Sequence, residues 1–358
     1  MRILHLVLVP RLSGAEVLAR DLAIVQQDDG DTVCMAALMP AHDDFAPLQA
    51  ELDRAGVGCM FPSRPLRAPG RLWHLLGVLR RFRPDIVFAH ATIPAFYARA
   101  VPWPAPVVYV MHSAVNDFER PLFRYAERLL SWRARAVVGV APGNVTDYRA
   151  AVGGHPRLMV IPNGVDTRRF AIRAGHGGTG PGTQVEPLIV QLGRYTAVKN
   201  QLQTVRAFAR LLETVPTARL ALHGVIEDPA YHAGVQALVD TLGLRERVTV
   251  GGPRNDIPAL LAQASVFAMP SASEAHSIAF LEALATGVPV VASAIPAFAF
   301  AHGFAAVQLL DTGDTGAYAA ALAHAIGQPR TVRPLDGLTL QDTARRYREV
   351  AQGLLGAA

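Results

Sequence analysis

Ser271–Ser293 reads Ser-Ala-Ser-Glu-Ala-His-Ser-Ile-Ala-Phe-Leu-Glu-Ala-Leu-Ala-Thr-Gly-Val-Pro-Val-Val-Ala-Ser, and the fold class follows from it. The apolar run Ser265–Met269, closed by Pro270, precedes it and has the length and composition of a buried strand. Ser277 stands where an N-cap belongs, Ile278–Thr286 carries strong helix formers, and Gly287 stands at the position that ends a helix. Val288–Ala292 is a second buried strand. Strand, loop, helix and strand in this order form the unit of a parallel α/β sheet.

Two carboxylates mark this unit. Glu274 lies in the loop just beyond the strand's carboxyl end, and Glu282 lies a little over one turn into the helix. Open α/β sheets bind ligands at the carboxyl ends of their strands. The amides of Ser277, Ile278 and Ala279 have no partner inside the helix, and the helix dipole favours an anion beside them. An anion cradle with a carboxylate on each side suits a ligand with a phosphate centre and hydroxyl-bearing ends, such as a nucleotide sugar.

Outward from this stretch, apolar runs alternate with helical segments along most of the chain. Ile3–Val9, Thr32–Leu38, Val57–Phe61, Ile86–His90, Val107–Met111, Ala136–Val140 and Leu158–Ile161 read as strands of a first series. Leu188–Leu192, Arg219–Leu222, Val248–Val250, Val266–Met269, Val288–Ala292 and Ala306–Leu309 read as a second. The expectation is α/β, with two Rossmann-like doubly wound domains facing a central cleft. Their expected bounds are 1–165 and 188–338. The stretch 166–187, rich in Gly, Thr and Pro over Ile172–Pro187, is expected as a linker or loop, and 339–358 as an amphipathic C-terminal helix.

At 358 residues the chain exceeds the usual limit of a single core. No apolar run is long enough to span a bilayer. Pro10 and Arg11 interrupt the apolar start before any small-residue cleavage site, so the start reads as a strand, not a signal peptide. Cys34 and Cys59 lack metal or redox spacing, which points to reduced core thiols in a cytoplasmic protein. No histidine, carboxylate or cysteine spacing indicates a metal site, and the modest net charge of +5 does not call for a nucleic acid.

Lys199 is the only lysine in a chain otherwise rich in arginine. It follows a strand end in Gly193-Arg194-Tyr195-Thr196-Ala197-Val198-Lys199-Asn200. Arg194 and Lys199 there suit a diphosphate clamp that stabilises charge growing on a leaving group without a metal. A surface lysine is the plainer alternative. Gly14, in Ser13-Gly14-Ala15-Glu16, gives room for a phosphate or simply turns a strand into a helix. The motif is not the Gly-x-Gly-x-x-Gly of dinucleotide sites. His112 ends the strand Val107–Met111 and serves either as a donor to a sugar hydroxyl or as a structural histidine. Arg120, Arg124, Arg128 and Arg135 flank Leu122, Tyr125, Ala126, Leu129 and Trp132, while six arginines flank Leu72–Leu79. Such basic amphipathic segments fit either a solvated helix face or an anionic membrane surface.

Taken in order, these motifs resemble the retaining, nucleotide-sugar-dependent glycosyltransferases of the GT-B fold. They are most similar to family four, which includes bacterial mannosyl- and glucosyltransferases. Ser13–Glu16 resembles the family's glycine loop. Pro84-Asp85-Ile86-Val87 with His90, and His112-Ser113, fall where the family has them. Ile161-Pro162-Asn163-Gly164-Val165-Asp166 with Phe170 is similar to the interdomain signature. Gly193–Asn200 resembles the phosphate-binding motif, and Glu274 and Glu282 form a Glu-x7-Glu element.

The resemblance implies that Arg194 and Lys199 bind the donor diphosphate, helped by Gly14 and the backbone of Ser277, Ile278 and Ala279. It implies that Glu282 binds the ribose, that Glu274 contacts the donor sugar at the reacting centre, and that His112 reaches it from the first domain. Ala275 and His276 stand near that sugar, Ala275 where the family commonly has glycine, and Phe88 replaces the first histidine of a strand-end pair. The activity implied is transfer of a hexose from UDP- or GDP-hexose to an acceptor glycan or glycolipid, with no metal or other cofactor. The cytoplasmic, membrane-peripheral setting would be that of surface-polysaccharide assembly. A nucleotide-sugar epimerase or hydrolase, or a non-catalytic nucleotide-sugar binder, are the alternatives.

Overall fold

The structure is a computed structural model that describes residues 1–113, 117–171 and 186–356. Residues 172–185, most of the expected linker, lie outside the described residues. The chain forms two compact units, one of Met1–Gly164 with Gly337–Ala358, the other of Val165–Asp336.

The first unit holds β1 (Arg2–Val7), β2 (Thr32–Ala37), β3 (Gly58–Met60), β4 (Ile86–His90), β5 (Val107–Met111), β6 (Ala134–Gly139) and β7 (Leu158–Val160). They form one parallel sheet in the order β3-β2-β1-β4-β5-β6-β7. Every residue of β4 and β5 is buried. That is the burial expected of parallel strands covered by helices on both faces, and it explains why they read as unbroken apolar runs.

The second unit holds β8 (Leu188–Leu192), β9 (Arg219–His223), β10 (Val248–Gly251), β11 (Val266–Met269), β12 (Val290–Ser293) and β13 (Val307–Leu310). Their order, β10-β9-β8-β11-β12-β13, is also parallel throughout. In both sheets the order reverses beside the unit's first strand, between β1 and β4 and between β8 and β11. That reversal is the switch point at which doubly wound sheets open a crevice.

Each unit has its own core. Leu6, Val87, Tyr109 and Val137 lie in the first, and Val190's neighbours Ile189, Leu220 and Val266 lie with Phe208 in the second. The C-terminal helix Leu340–Leu355 belongs to the first unit. Its buried stripe of Leu340, Thr343, Ala344, Tyr347, Ala351 and Leu354 follows helical spacing. Tyr347 meets Phe88 at 5.2 Å between ring centroids, and Arg348 pairs with Asp31 at 2.7 Å. Thr343 donates to the carbonyl of Pro162 at 3.0 Å. A Cβ on Gly164 would lie 2.3 Å from the carbonyl oxygen of Thr339, so the Ile-Pro-Asn-Gly turn needs glycine where the chain comes back.

Two helices, Thr92–Ala100 and Pro142–Ala151, are not marked by sequence pattern. The first follows Ala91 at φ 78° and opens with Thr-Ile-Pro, and the second opens with Pro-Gly-Asn. Poor helix formers at the start hide a short helix that tertiary packing then holds. The basic amphipathic segment from Arg120 to Arg135 is a helix only over Pro121–Leu130, followed by a 3-10 turn, Ser131–Arg133. Arg135 is a residue of β6 and takes no part in that helix.

That helix is built against the usual pattern. Its buried residue is Glu127, gripped by the equally buried Arg99 through two bonds of 2.8 and 2.5 Å and by the Tyr148 hydroxyl at 2.9 Å. Leu122, Tyr125 and Leu129 face outward, 76%, 63% and 71% exposed, with Trp132 of the following turn at 76%. Charge is inside and apolar surface outside. Among the described residues no helix is long and apolar enough to cross a membrane.

Candidate functional site

The loops that leave β8 and β11 come from neighbouring strands, paired at Val266 with Ile189 and Phe267 with Val190. After β8 the chain passes Gly193 and Arg194, makes a 3-10 turn at Ala197–Lys199, and turns at Asn200 with φ 53°. Asparagine tolerates that left-handed conformation better than most side chains. Buried amides hold the loop in shape. Gln191 donates to the Lys199 carbonyl at 2.7 Å, and Gln201 donates to the Arg194 carbonyl at 3.0 Å. A Cβ on Gly224 would lie 1.9 Å from the Gly193 oxygen, so glycine lets the loop after β9 press against this one.

Lys199 runs across Gly193, where a Cβ would sit 3.2 Å from its Cδ, and its ammonium reaches Glu274 Oε1 at 2.5 Å. Both side chains are largely enclosed, 13% and 9% exposed. The backbone joins the two loops as well, since Ala272 donates to the Val198 carbonyl at 2.8 Å. Thus the single lysine and the first carboxylate of the Glu-x7-Glu element meet at the mouth of the second sheet's switch point.

Ser277 caps the helix Ile278–Ala285, its hydroxyl accepting from the Phe280 amide at 3.4 Å. The amides of Ser277, Ile278 and Ala279 therefore belong to the open first turn, beside Glu274 in sequence. Ala275 is buried, and Glu282 is half-buried on the same helix. The far end of the helix is fixed by two arginines that sequence pattern does not single out, Arg333 buried and Arg330 half-buried. Arg333 donates to the Leu284, Val288 and Ala306 carbonyls, and Arg330 to those of Thr286 and Leu261. Cations at a helix C-terminus satisfy carbonyls and oppose the dipole. Burial lowers Arg333 to about 10.

Arg194 is set apart from the lysine pair by its own partner, Glu227, at 2.6 Å. Both residues of that pair are more than a third exposed, which makes it a weak tie. His276 stacks on Phe300 at 5.5 Å, and burial lowers its pKa to about 4. A surface cavity of about 340 Å³ lies elsewhere on this unit, lined by Phe170, Asp256, Thr286 and Arg330, and includes none of the expected site residues. Among the described residues no group of three or more His, Cys, Asp or Glu is arranged to hold a metal.

Gly14 and His112 lie in the first unit. Gly14 is exposed at the start of the helix Gly14–Asp28, with Ser13 as N-cap. His112 follows β5 and bonds to His90, which in turn bonds to His5. Burial pushes His5 and His112 down to about 4 and His90 well below the ordinary 6.5.

Two family models match the chain. That described as Glycosyltransferase Family 4 covers residues 12–169, and that described as Glycosyl transferases group 1 covers residues 186–328. The chain is a glycosyltransferase of the family 4 and group 1 type. It is 34% identical over 189 residues to the GDP-mannose-dependent alpha-(1-6)-phosphatidylinositol monomannoside mannosyltransferase of Mycolicibacterium smegmatis, covering 48% of this chain and 47% of that one. It is 29% identical to the GDP-mannose:cellobiosyl-diphosphopolyprenol alpha-mannosyltransferase of Xanthomonas oryzae, covering 52% and 48%. The match thus spans about half the length of these two relatives. The Escherichia coli UDP-Gal:alpha-D-GlcNAc-diphosphoundecaprenol alpha-1,3-galactosyltransferase is 24% identical, with 82% and 80% covered. Among solved structures, Anabaena HepE in complex with UDP superposes with a TM-score of 0.72 at 18% identity, over 99% of this chain and 100% of that one. The sucrose-phosphate synthase of Thermosynechococcus elongatus gives 0.78 at 17%, over 100% of each. The fold of this glycosyltransferase is GT-B.

His5, His90, His112 and His276, whose pKa values are all lowered by desolvation, set a stability window. Each is harder to protonate in the folded chain than in the unfolded one, so the unfolded state takes up more protons below the ordinary value. Stability from this source is full above pH about 6.5 and is lost as pH falls toward about 4. Urea unfolding across that range should show a falling midpoint; a flat midpoint would mean that these histidines titrate as exposed ones do.

Proposed function

We propose that this glycosyltransferase moves a hexose from a nucleoside-diphosphate sugar to an acceptor hydroxyl, with the anomeric configuration retained and without a metal ion. The observation that carries the reading is the enclosed contact of Lys199 with Glu274 at the mouth between β8 and β11. There the ammonium, the open first turn at Ser277, Ile278 and Ala279, and Arg194 released from its weak tie to Glu227 receive the donor diphosphate. Glu282 takes the ribose hydroxyls. Gly14 leaves room for the donor phosphate, and His112 meets the donor sugar.

In the reaction the bond between C1 and the diphosphate oxygen breaks and a bond from C1 to the acceptor oxygen forms on the same face. The acceptor's proton passes to the departing diphosphate oxygen. Fixed cations and amides stabilise the charge gathering on that diphosphate, which lowers the barrier most where water is excluded. The Glu274 carboxylate, freed when Lys199 turns to the diphosphate, stabilises the positive charge at C1. GDP-mannose is the first donor to test, because two of the relatives carry it in their names.

The acceptor is a lipid-linked glycan. The relatives' names include phosphatidylinositol and diphosphopolyprenol acceptors. The outward Leu122, Tyr125, Leu129 and Trp132, with Arg120 and Arg128 exposed on the same segment and Arg133 over the Trp132 ring, present apolar surface with basic side chains beside it, which suits an anionic membrane.

Lys199→Ala should lose at least about a hundredfold in turnover while its unfolding curve stays near wild type, the size expected when one donor to a developing anion is removed. Near-normal rates with every nucleotide sugar would contradict the diphosphate role. Anionic vesicles should co-sediment the wild-type protein and leave a Leu122→Glu/Leu129→Glu variant in the supernatant. Failure of the wild type to sediment would remove the membrane from the proposal.

A further inference from the structure

Three imidazoles are strung end to end in the first unit, at the carboxyl end of its sheet. His5 Nδ1 lies 2.9 Å from His90 Nε2, and His90 Nδ1 lies 2.9 Å from His112 Nε2. The inner end of the string is Gln26 of the helix Gly14–Asp28, whose Oε1 lies 2.7 Å from His5 Nε2. Their ring planes are tilted by only 27° and 24° from one to the next. The rings form a line, not a converging metal cage.

A neutral imidazole has one N–H and one lone pair. In a line of such rings each bond fixes the next. The amide oxygen of Gln26 accepts, so His5 must donate from Nε2 and accept at Nδ1. His90 then donates from Nε2 to His5 and accepts at Nδ1, and His112 donates from Nε2 to His90. We propose that Gln26, acting through His5 and His90, decides which nitrogen of His112 carries the proton, so that His112 offers Nδ1 as a hydrogen-bond acceptor. Gln26, His5 and His90 are positioning residues. Burial keeps all three histidines neutral at ordinary pH, which the relay requires, because an imidazolium donates from both nitrogens and would break the order.

The functional consequence rests on the reading that His112 meets the donor sugar. A hydroxyl of that sugar would then donate to His112 Nδ1, and His112 would be unable to protonate the leaving group from that nitrogen. A lone histidine at a strand end has no such fixed polarity. Phe88, where the family resemblance places another histidine, stacks on His5 at 5.5 Å and contributes no competing nitrogen to the line.

The test is nitrogen-15 NMR of the full chain with labelled histidine, at neutral pH. We expect His112 to show a protonated Nε2 and a bare Nδ1, with the same order at His5 and His90. Gln26→Leu removes the accepting end, so the His112 nitrogens should move toward a mixture of both tautomers. Turnover should fall severalfold with the donor KM little changed. A His112 protonated at Nδ1 in the wild type overturns the proposal, as do unchanged His112 signals in Gln26→Leu. Should Gln26→Leu fail to fold, the wild-type spectrum alone decides. His112→Ala tests the underlying reading separately: full turnover there would remove His112 from the donor site while leaving the tautomer order intact.

Discussion

The second unit is arranged so that one ammonium and one carboxylate meet where little water reaches them. Lys199 and Glu274 come from loops that leave adjacent strands, and each loop is braced by buried polar groups, Gln191 and Gln201 on one side and the capped helix on the other. An enclosed ion pair contributes little to net stability once desolvation is counted, so stability is a poor reason for its presence. It is better understood as a charge held ready. On the proposed reading, an incoming diphosphate offers Lys199 a stronger partner than a single carboxylate and frees Glu274 for a centre that becomes positive. The glycines at 193 and 224 and the arginines at 330 and 333 act on this pair indirectly, by setting the loop path and the helix axis.

The first unit shows the same economy of buried polar groups put to a different use. Arg99, Glu127 and Tyr148 lock one face of the helix Pro121–Leu130 into the protein and leave Leu122, Tyr125 and Leu129 outside. Burying a charge pair while exposing leucines is unfavourable in water alone. The arrangement supports the proposal that this outer face meets an apolar phase. At the sheet's carboxyl end, the line from Gln26 to His112 gives a histidine a defined polarity without any charge.

Much of this was legible in the sequence because parallel strands covered on both faces must be apolar throughout. Ile86–His90, Val107–Met111, Leu188–Leu192 and Val266–Met269 match their runs to the residue. Ser277 and Gly287 marked the helix ends because capping chemistry is local. Lys199 and Glu274 stood out by rarity and by position at strand ends. What stayed hidden depended on tertiary contact. Helices Thr92–Ala100 and Pro142–Ala151 have weak starts, Arg330 and Arg333 cap helices distant in sequence, and His5 joins His90 only when β1 pairs with β4. The partner of Arg194, Glu227, also follows from folding and not from spacing.

The most direct test of the readied charge is calorimetric titration of a nucleoside diphosphate, without its sugar, into the wild type, Lys199→Met and Glu274→Gln. If the diphosphate takes Lys199 from Glu274, Lys199→Met weakens binding and Glu274→Gln tightens it, because the ammonium no longer has a carboxylate to leave. Equal weakening by both substitutions, or no change from either, would contradict the account.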